Sequence, residues 1–182
     1  MIYFKHFLLI VALTIFLSLC AQININIYEI AITGQTFAVG LIATMFNKKI
    51  SFGVVFFYIF LGAVGFSVFS NASGGYSVLF AKTGGYIFGF IFYVLFLHII
   101  MNKNRLSYTY AFLGNFIGTI ATLIFGCIWL MCYLDKSLFV ILKIGLYPFI
   151  IPGFIKICLS TLFGIYLKKI LIKIFDRKYF FV

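Results

Sequence analysis

Lys156 is the residue whose type and position most clearly suggest chemistry. It follows a segment, 147–153, that holds both prolines of the chain, and it precedes a long apolar run. A lysine at the centre of a membrane helix costs roughly 2.5–3.5 kcal/mol, so an ionisable residue at such a depth is expected to serve a function. A lysine near a helix end can instead extend to the lipid head groups, and that interpretation stays open. The proline and glycine residues favour a cavity, because irregular backbone at membrane depth needs protein or water around it.

Four more polar residues are the strongest candidates for the wall of such a cavity, namely Thr33, Gln35, Asn71 and Tyr86. Taken singly, Thr33 could cap a helix, Asn71 could form a turn and Tyr86 could lie at the membrane interface. Together with Lys156 they predict a pocket that hydrogen-bonds a small polar head group within an aromatic surround. The lysine would then contact an anionic or strongly accepting ligand atom.

Other polar residues could share this pocket or serve packing alone. They are Gln22, Asn24, Ser73, Thr83 and Asn115. For Gln22 and Asn115, hydrogen bonds between helices are an equally simple explanation.

The acidic residues of the chain are Glu29, Asp135 and Asp176, and all three fall in predicted loops or in the tail. Proton- or sodium-coupled transport usually needs carboxylates within the helices, and the predicted helices carry none. The sequence has no GxxxxGK[ST] motif for ATP hydrolysis, and its two histidines are not spaced for catalysis or metal binding. We therefore expect neither an enzyme nor a protein with a cofactor or metal.

The composition is that of an integral membrane protein. Of the 182 residues, 65% are hydrophobic and only 9% are charged, and the mean hydropathy is +1.21. The net charge of +11 would suggest a nucleic-acid partner in a soluble protein, but the basic residues cluster at the ends of apolar runs. The charge therefore indicates topology in a lipid bilayer, and we expect no nucleic-acid partner. The four cysteines lie within apolar runs without CxxC spacing and are expected to be free thiols.

Six apolar runs are candidate membrane spans, at about residues 4–23, 32–46, 50–69, 85–101, 110–133 and 152–172. At about 20 residues for each span, they leave no room for a soluble domain. The sequence therefore predicts one all-α transmembrane domain over residues 1–182. The longest connection, 71–84, is rich in glycine and small polar residues, as loops are. The apolar segment 138–146 is too short to span and is predicted to be an interfacial helix or loop.

The distribution of lysine and arginine predicts that both termini are cytoplasmic. With six spans, the side of the termini carries Lys5, Lys48, Lys49, Lys103, Arg105 and the basic tail from Lys168 to Lys178. The other side carries only Lys82, Lys136 and Lys143. Positive charge favours the cytoplasmic side, so the mouth near Lys156 is expected to open outward. If the last helix begins near Pro152, Lys156 lies about 6 Å below its outer end.

Small residues predict which helices pack closely. Gly85 and Gly89 form a GxxxG pair, and a second ladder runs through Gly114, Gly118, Thr122 and Gly126. This spacing lets two membrane helices touch backbone to backbone, and it indicates a compact bundle.

Five motifs follow one another along nearly the whole chain: Ala21–Ile23, ITGQT at Ile32–Thr36, YIFLGAVG at Tyr58–Gly65, TGGYIFGF at Thr83–Phe90, and Pro148-Phe149 with Lys156. In these motifs the sequence resembles the BioY family, the biotin-binding S-components of energy-coupling-factor (ECF) vitamin transporters. The resemblance implies six helices in an S-component-like bundle and an external biotin site capped by the first and third loops. It also implies biotin uptake in a bacterial plasma membrane, with biotin as the transported ligand. A transmembrane coupling subunit and ATPase subunits are the implied partners.

The sequence departs from the family pattern at one position near the lysine. Gly153 stands where the PFxPGDxxK motif of the family has an aspartate. Two alternatives to biotin uptake stay open. One is an S-component for another vitamin or a biotin precursor, and the other is a small structural subunit of a membrane complex.

Overall fold

The computed structural model describes residues 2–27, 30–102, 104, 106–174 and 179. Its helices are α1 (Ile2–Gln22), α2 (Gln35–Met45), α3 (Lys48–Val64), α4 (Tyr76–Leu79), α5 (Gly84–Met101), α6 (Tyr108–Leu134), α7 (Leu138–Gly145) and α8 (Ile150–Ile174). Its strands are β1 (Asn24–Ile27) and β2 (Ile30–Thr33), and short 3-10 turns occur at Ser70–Ala72 and Tyr147–Phe149. Six charged residues used in the predictions above lie outside the described residues: Glu29, Lys103, Arg105, Asp176, Arg177 and Lys178.

Local chemistry explains where several helices begin and end. The Asn47 side chain accepts a hydrogen bond from the Ile50 amide at 3.0 Å and so caps α3. The same helix ends at Gly65, whose φ of 112° lies in the left-handed region that favours glycine. Helix α8 begins at Ile150, so Pro152 falls in the first turn, where a missing amide hydrogen is tolerated.

The irregular backbone before Lys156 is shorter than the sequence suggests. It is confined to the 3-10 turn at Tyr147–Phe149, and Gly153 is already helical. Lys156 therefore lies about 9 Å along α8, at 1.5 Å per residue, instead of the 6 Å expected from a start at Pro152.

A two-stranded hairpin adds to the helical bundle. Strands β1 and β2 pair antiparallel, with Asn24 opposite Thr33 and Ile27 opposite Ile30. The second apolar run was expected to be helical from residue 32, but residues 30–33 are held by this pairing and α2 begins at Gln35. The alternation of isoleucine with polar or small residues on both strands is the two-residue period that a half-exposed strand requires. Backbone hydrogen bonds thus pair the two described strands between α1 and α2.

The described chain contains four segments that are long and apolar enough to cross a membrane. They are Phe4–Gln22, Gly84–Met101, Tyr108–Leu134 and Leu138–Ile174. Helices α2 and α3, with 11 and 17 residues, pack against them. The chain is therefore a multi-pass integral membrane protein with a mostly helical fold. The six-span count and the cytoplasmic position of the termini stay predictions.

The small residues of α5 and α6 bring these two helices together as predicted. A Cβ atom added at Gly89 would lie 3.0 Å from the Thr122 Cα atom, and one at Gly85 would lie 3.2 Å from the Gly126 Cα atom. Neither glycine could accept a side chain without separating the helices. The prediction that these helices pack closely is confirmed, and the structure shows that they pack against each other.

A buried polar group, here called the Asn115 cluster, links four helices. The Tyr93 hydroxyl donates to Asn115 Oδ1 at 2.8 Å. Asn115 Nδ2 donates to the hydroxyls of Thr44 at 3.0 Å and Thr161 at 3.2 Å. Asn115 is fully buried, and its side chain therefore satisfies both of its polar ends within the protein. The cluster explains Asn115 as a packing residue of α2, α5, α6 and α8.

Lys168 does not belong to a solvated basic tail, as the sequence suggested. It lies within α8, is only 1% exposed, and its ammonium group donates to the Thr44 carbonyl oxygen at 3.2 Å. Thr44 is near the end of α2, where the helix dipole places partial negative charge. Lys168 therefore helps to hold α8 against α2.

Candidate ligand-binding site

A cavity of about 50 Å³ lies between the hairpin and helices α2, α5, α6 and α8. Its polar lining consists of Thr33, Gln35, Thr36, Ser70, Thr83, Thr122 and Lys156, and its aromatic lining of Phe69, Tyr86, Phe90 and Phe149. Residues 65–83, between α3 and α5, contribute part of this lining and are called the roof loop below. Four of the five residues predicted from the sequence thus line one cavity, and Asn71 does not.

The Lys156 side chain is directed into the bundle. Its ammonium group donates to the Thr33 carbonyl oxygen at 2.7 Å, across 123 positions of sequence. Thr33 ends β2, and α2 begins two residues later, so the ammonium group lies beside the first turn of that helix. The partial positive charge of a helix N-terminus and the lysine together favour a negatively charged or strongly accepting group.

Thr33 and Gln35 form a hydrogen-bonded corner of the cavity. The Thr33 hydroxyl donates to Gln35 Oε1 at 2.7 Å and also accepts from the Gln35 backbone amide at 3.3 Å. Gln35 Nε2 donates to the Tyr58 hydroxyl at 2.6 Å. Both polar atoms of the glutamine amide therefore have protein partners already. These groups shape the wall and can reach a ligand only by exchanging a partner.

Tyr86 provides an aromatic wall instead of a free hydroxyl. Its hydroxyl donates to the Gly145 carbonyl oxygen of α7 at 2.9 Å. Its ring stacks on Phe149, with ring centroids 5.8 Å apart and planes 23° apart. Tyr86 thereby fixes α7 and the turn before α8 against the cavity.

Asn71 lies on the outer side of the roof loop. Its side chain exchanges two 3.4 Å hydrogen bonds with the amide of Asn26 on β1. Its φ of 57° is left-handed, a conformation that asparagine adopts more readily than most residues. The preceding residue, Ser70, does line the cavity. Asn71 is therefore one residue away from the cavity and is held by the hairpin.

Gln22 ties the end of α1 to the roof loop. Its Nε2 atom donates to the Phe69 carbonyl oxygen at 3.0 Å, and its Oε1 atom accepts from the Ala72 amide at 2.9 Å. The hairpin, Gln22 and the roof loop together cover the cavity.

Several residues that line the cavity were not predicted from the sequence. Phe69 and Phe90 both line the cavity. Nothing in the sequence distinguishes Phe69 from the other 25 phenylalanines, whereas Phe90 is the last residue of the motif Thr83–Phe90. Thr122 was assigned to the packing ladder alone, although it lines the cavity as well as contacting α5. Thr36 is next to Gln35 in the sequence and Ser70 is next to Asn71, and this adjacency was the sequence feature that could have predicted them.

Gly153 does not line the cavity. It borders a separate apolar groove between α6 and α8, which shares only the walls Leu123 and Phe149 with the cavity. A Cβ atom added at Gly153 would lie 3.8 Å from its nearest neighbour, the methyl group of Thr119. Packing at this position therefore does not require glycine.

Comparison with known proteins places this geometry in a family. A model of the BioY family matches residues 2–173. Biotin transporter BioY2 of Lactococcus lactis subsp. cremoris is 30% identical over 155 residues, which are 85% of each chain. The probable biotin transporter BioY of Pyrococcus horikoshii is 32% identical over 148 residues, 81% of this chain and 85% of that protein.

A solved structure shows the same fold. The S-component for biotin from an ECF-type ABC transporter superposes with a TM-score of 0.83 over 92% of each chain, at 20% sequence identity. The family match, the two relatives and this structure each cover most of the chain. The resemblance to the BioY family is thus confirmed, and the chain belongs to that family.

Proposed function

We propose that this chain is the biotin-binding S-component of a vitamin transporter in a bacterial plasma membrane. It binds biotin from outside the cell in the cavity beside Lys156, and it serves biotin uptake. The observation that carries the proposal is the ammonium group of Lys156, held 2.7 Å from the Thr33 carbonyl oxygen inside a lined cavity. The names of the two relatives, biotin transporter BioY2 and probable biotin transporter BioY, support biotin as the ligand.

The lining suits the chemistry of biotin. Biotin carries a carboxylate and a ureido carbonyl, and either offers the strongly accepting atom that Lys156 requires. The ammonium group has three donor hydrogens, so it can bind a ligand acceptor while it keeps the Thr33 carbonyl oxygen. The tetrahydrothiophene ring of biotin, which is apolar, packs against the aromatic wall formed by Phe69, Tyr86 and Phe149.

Ligand entry requires movement of the elements that cover the cavity, which are the hairpin, Gln22 and the roof loop. The cavity of about 50 Å³ is smaller than the ~300–1,000 Å³ of typical ligand pockets, so the bound state needs a wider one. The bonds that hold the roof loop include the 3.4 Å pair between Asn26 and Asn71, which is long for a hydrogen bond. Opening releases Asn71 from Asn26 and lets its amide turn toward a ligand beside Ser70.

Energy for uptake comes from partner subunits in this proposal. The sequence has no ATP-binding loop of the GxxxxGK[ST] type. The structural neighbour belongs to an ECF-type ABC transporter, which supports a transmembrane coupling subunit and ATPase subunits as partners. The chain itself has no catalytic step and needs no cofactor.

Equilibrium binding on the purified chain in nanodiscs tests the ligand. We expect biotin to bind with submicromolar affinity and a stoichiometry of one, and thiamine and riboflavin to compete poorly. A preference for another vitamin would support the alternative S-component, for which the glycine at position 153 is the motivating observation. Absence of binding to any vitamin would contradict the proposal and favour a structural subunit.

A further inference from the structure

Tyr58 makes buried hydrogen bonds that the candidate ligand site does not explain. It belongs to the Tyr58–Gly65 motif, it is fully buried, and it does not line the cavity. Its hydroxyl accepts from Gln35 Nε2 at 2.6 Å and donates to the Val68 carbonyl oxygen at 3.1 Å. Gln35 is part of the cavity wall and Val68 is part of the roof loop. One hydroxyl group therefore joins the wall to the roof.

The bond to Tyr58 fixes the orientation of the Gln35 amide. Since Gln35 Oε1 accepts from the Thr33 hydroxyl, its Nε2 must point toward Tyr58. Thr33 in turn supplies the carbonyl oxygen that holds the Lys156 ammonium group. A continuous series of contacts thus runs from Lys156 through Thr33, Gln35 and Tyr58 to the roof loop.

The same face of α3 seats the aromatic residue of the roof. The Phe69 ring packs edge-on against the Tyr58 ring, with centroids 5.3 Å apart. One turn further along α3, Gly62 contacts Phe69 so closely that no side chain would fit there. The Gly62 carbonyl oxygen also accepts from the Gly75 amide of the roof loop at 2.7 Å. Phe69 is buried and lines the cavity, so its position defines the shape of the roof.

We propose that Tyr58 is a positioning residue that holds the roof loop closed over the bound ligand and thereby sets the rate of ligand release. It acts through Gln35 on the wall and through Val68 and Phe69 on the roof, without touching the ligand. The inference rests on the proposed function for the identity of the ligand, but the restraint on the loop exists without it.

The test compares two tyrosine-to-phenylalanine variants that each remove one buried hydroxyl. Tyr58→Phe removes the hydroxyl that joins wall and roof, whereas Tyr93→Phe removes one that bonds to Asn115 between helices. Hydrogen–deuterium exchange of the ligand-free proteins in nanodiscs reports on the loop. We expect the roof-loop amides, among them Ala72 and Gly75, to exchange about tenfold faster in Tyr58→Phe, the factor expected from one lost hydrogen bond. In Tyr93→Phe they should exchange as in the unmodified protein.

Release kinetics give the second readout. We expect biotin to dissociate about tenfold faster from Tyr58→Phe, with association within about twofold and an unchanged number of sites, because only the closed state is weakened. General destabilisation would instead reduce the number of active sites at a constant dissociation rate. Loop exchange within about twofold of the unmodified protein, or an equal increase in Tyr93→Phe, would overturn the inference. If the unmodified protein bound no biotin, the proposed function would fail, and loop exchange alone would decide the role of Tyr58.

Discussion

The cavity and the Asn115 cluster use similar polar side chains for different purposes. Thr161, in the cluster, lies five residues after Lys156 on α8, or about 7.5 Å further along the helix. In the cluster, the hydroxyl and amide groups bond to one another across four helices. At the cavity, Lys156 bonds to a backbone carbonyl and borders unfilled space.

The difference shows that polar residues within membrane helices need not indicate a binding site. Asn115 is as polar as the cavity residues and is more deeply buried than Gln35, yet its partners are other helices. What separates the two groups is free volume beside a charge. We therefore expect substitutions in the Asn115 cluster to change stability and substitutions at the cavity to change affinity.

The largest effect on stability is expected for Asn115→Ala. It removes three interhelical hydrogen bonds, which at about 0.6–1 kcal/mol each in a membrane protein destabilise the fold by about 2–3 kcal/mol. Thermal unfolding in nanodiscs measures this loss, and the dissociation constant for biotin of the folded fraction should remain within about threefold. A large loss of affinity at unchanged unfolding temperature would show that the comparison between the two regions is wrong.

A smaller effect, on affinity, is expected for Asn71→Ala. If the opened roof lets Asn71 reach the ligand, the variant loses one neutral hydrogen bond and binds biotin about three- to tenfold more weakly. Asn26→Ala is the matched control, because it breaks the same Asn26–Asn71 pair and leaves the Asn71 amide in place. Its affinity should change less than twofold, as titration calorimetry can measure. Equal losses in both variants would assign Asn71 to closure of the roof instead.

The smallest effect on affinity is expected for Tyr86→Phe. The variant keeps the aromatic wall and loses the hydroxyl contacts with the Gly145 carbonyl oxygen and with Cys127 Sγ, at a cost of about 1 kcal/mol in stability. The dissociation constant for biotin should change by less than about threefold. A loss of tenfold or more would mean that the hydroxyl exchanges Gly145 for the ligand, as the sequence alone suggested.

Much of the site could be predicted from the sequence because membrane depth makes polar residues conspicuous. Lys156 was identifiable as a cation in an apolar run, and Thr33, Gln35 and Tyr86 as polar residues near span ends. The close packing of α5 and α6 followed from glycine spacing alone. These features depend on residue type and on separations within a single helix.

The remainder depended on contacts between distant parts of the chain. Lys168 resembles the other basic residues that follow it, and only the fold places it beneath Thr44. The side chain of Asn71 faces away from the cavity because Asn26 of the hairpin binds it. The hairpin could not be predicted because its isoleucine residues are equally compatible with a helix. Short apolar segments do not distinguish a strand from a helix.

The central claim is that the ammonium group of Lys156 binds the ligand inside the cavity. Titration calorimetry with biotin on Lys156→Ala in nanodiscs tests it directly, with Lys143→Ala, an exposed lysine of α7, as the control. Loss of a hydrogen bond to a charged group predicts affinity about 10- to 100-fold weaker for Lys156→Ala, and unchanged affinity for the control. Affinity of Lys156→Ala within about threefold of the unmodified protein would contradict the account.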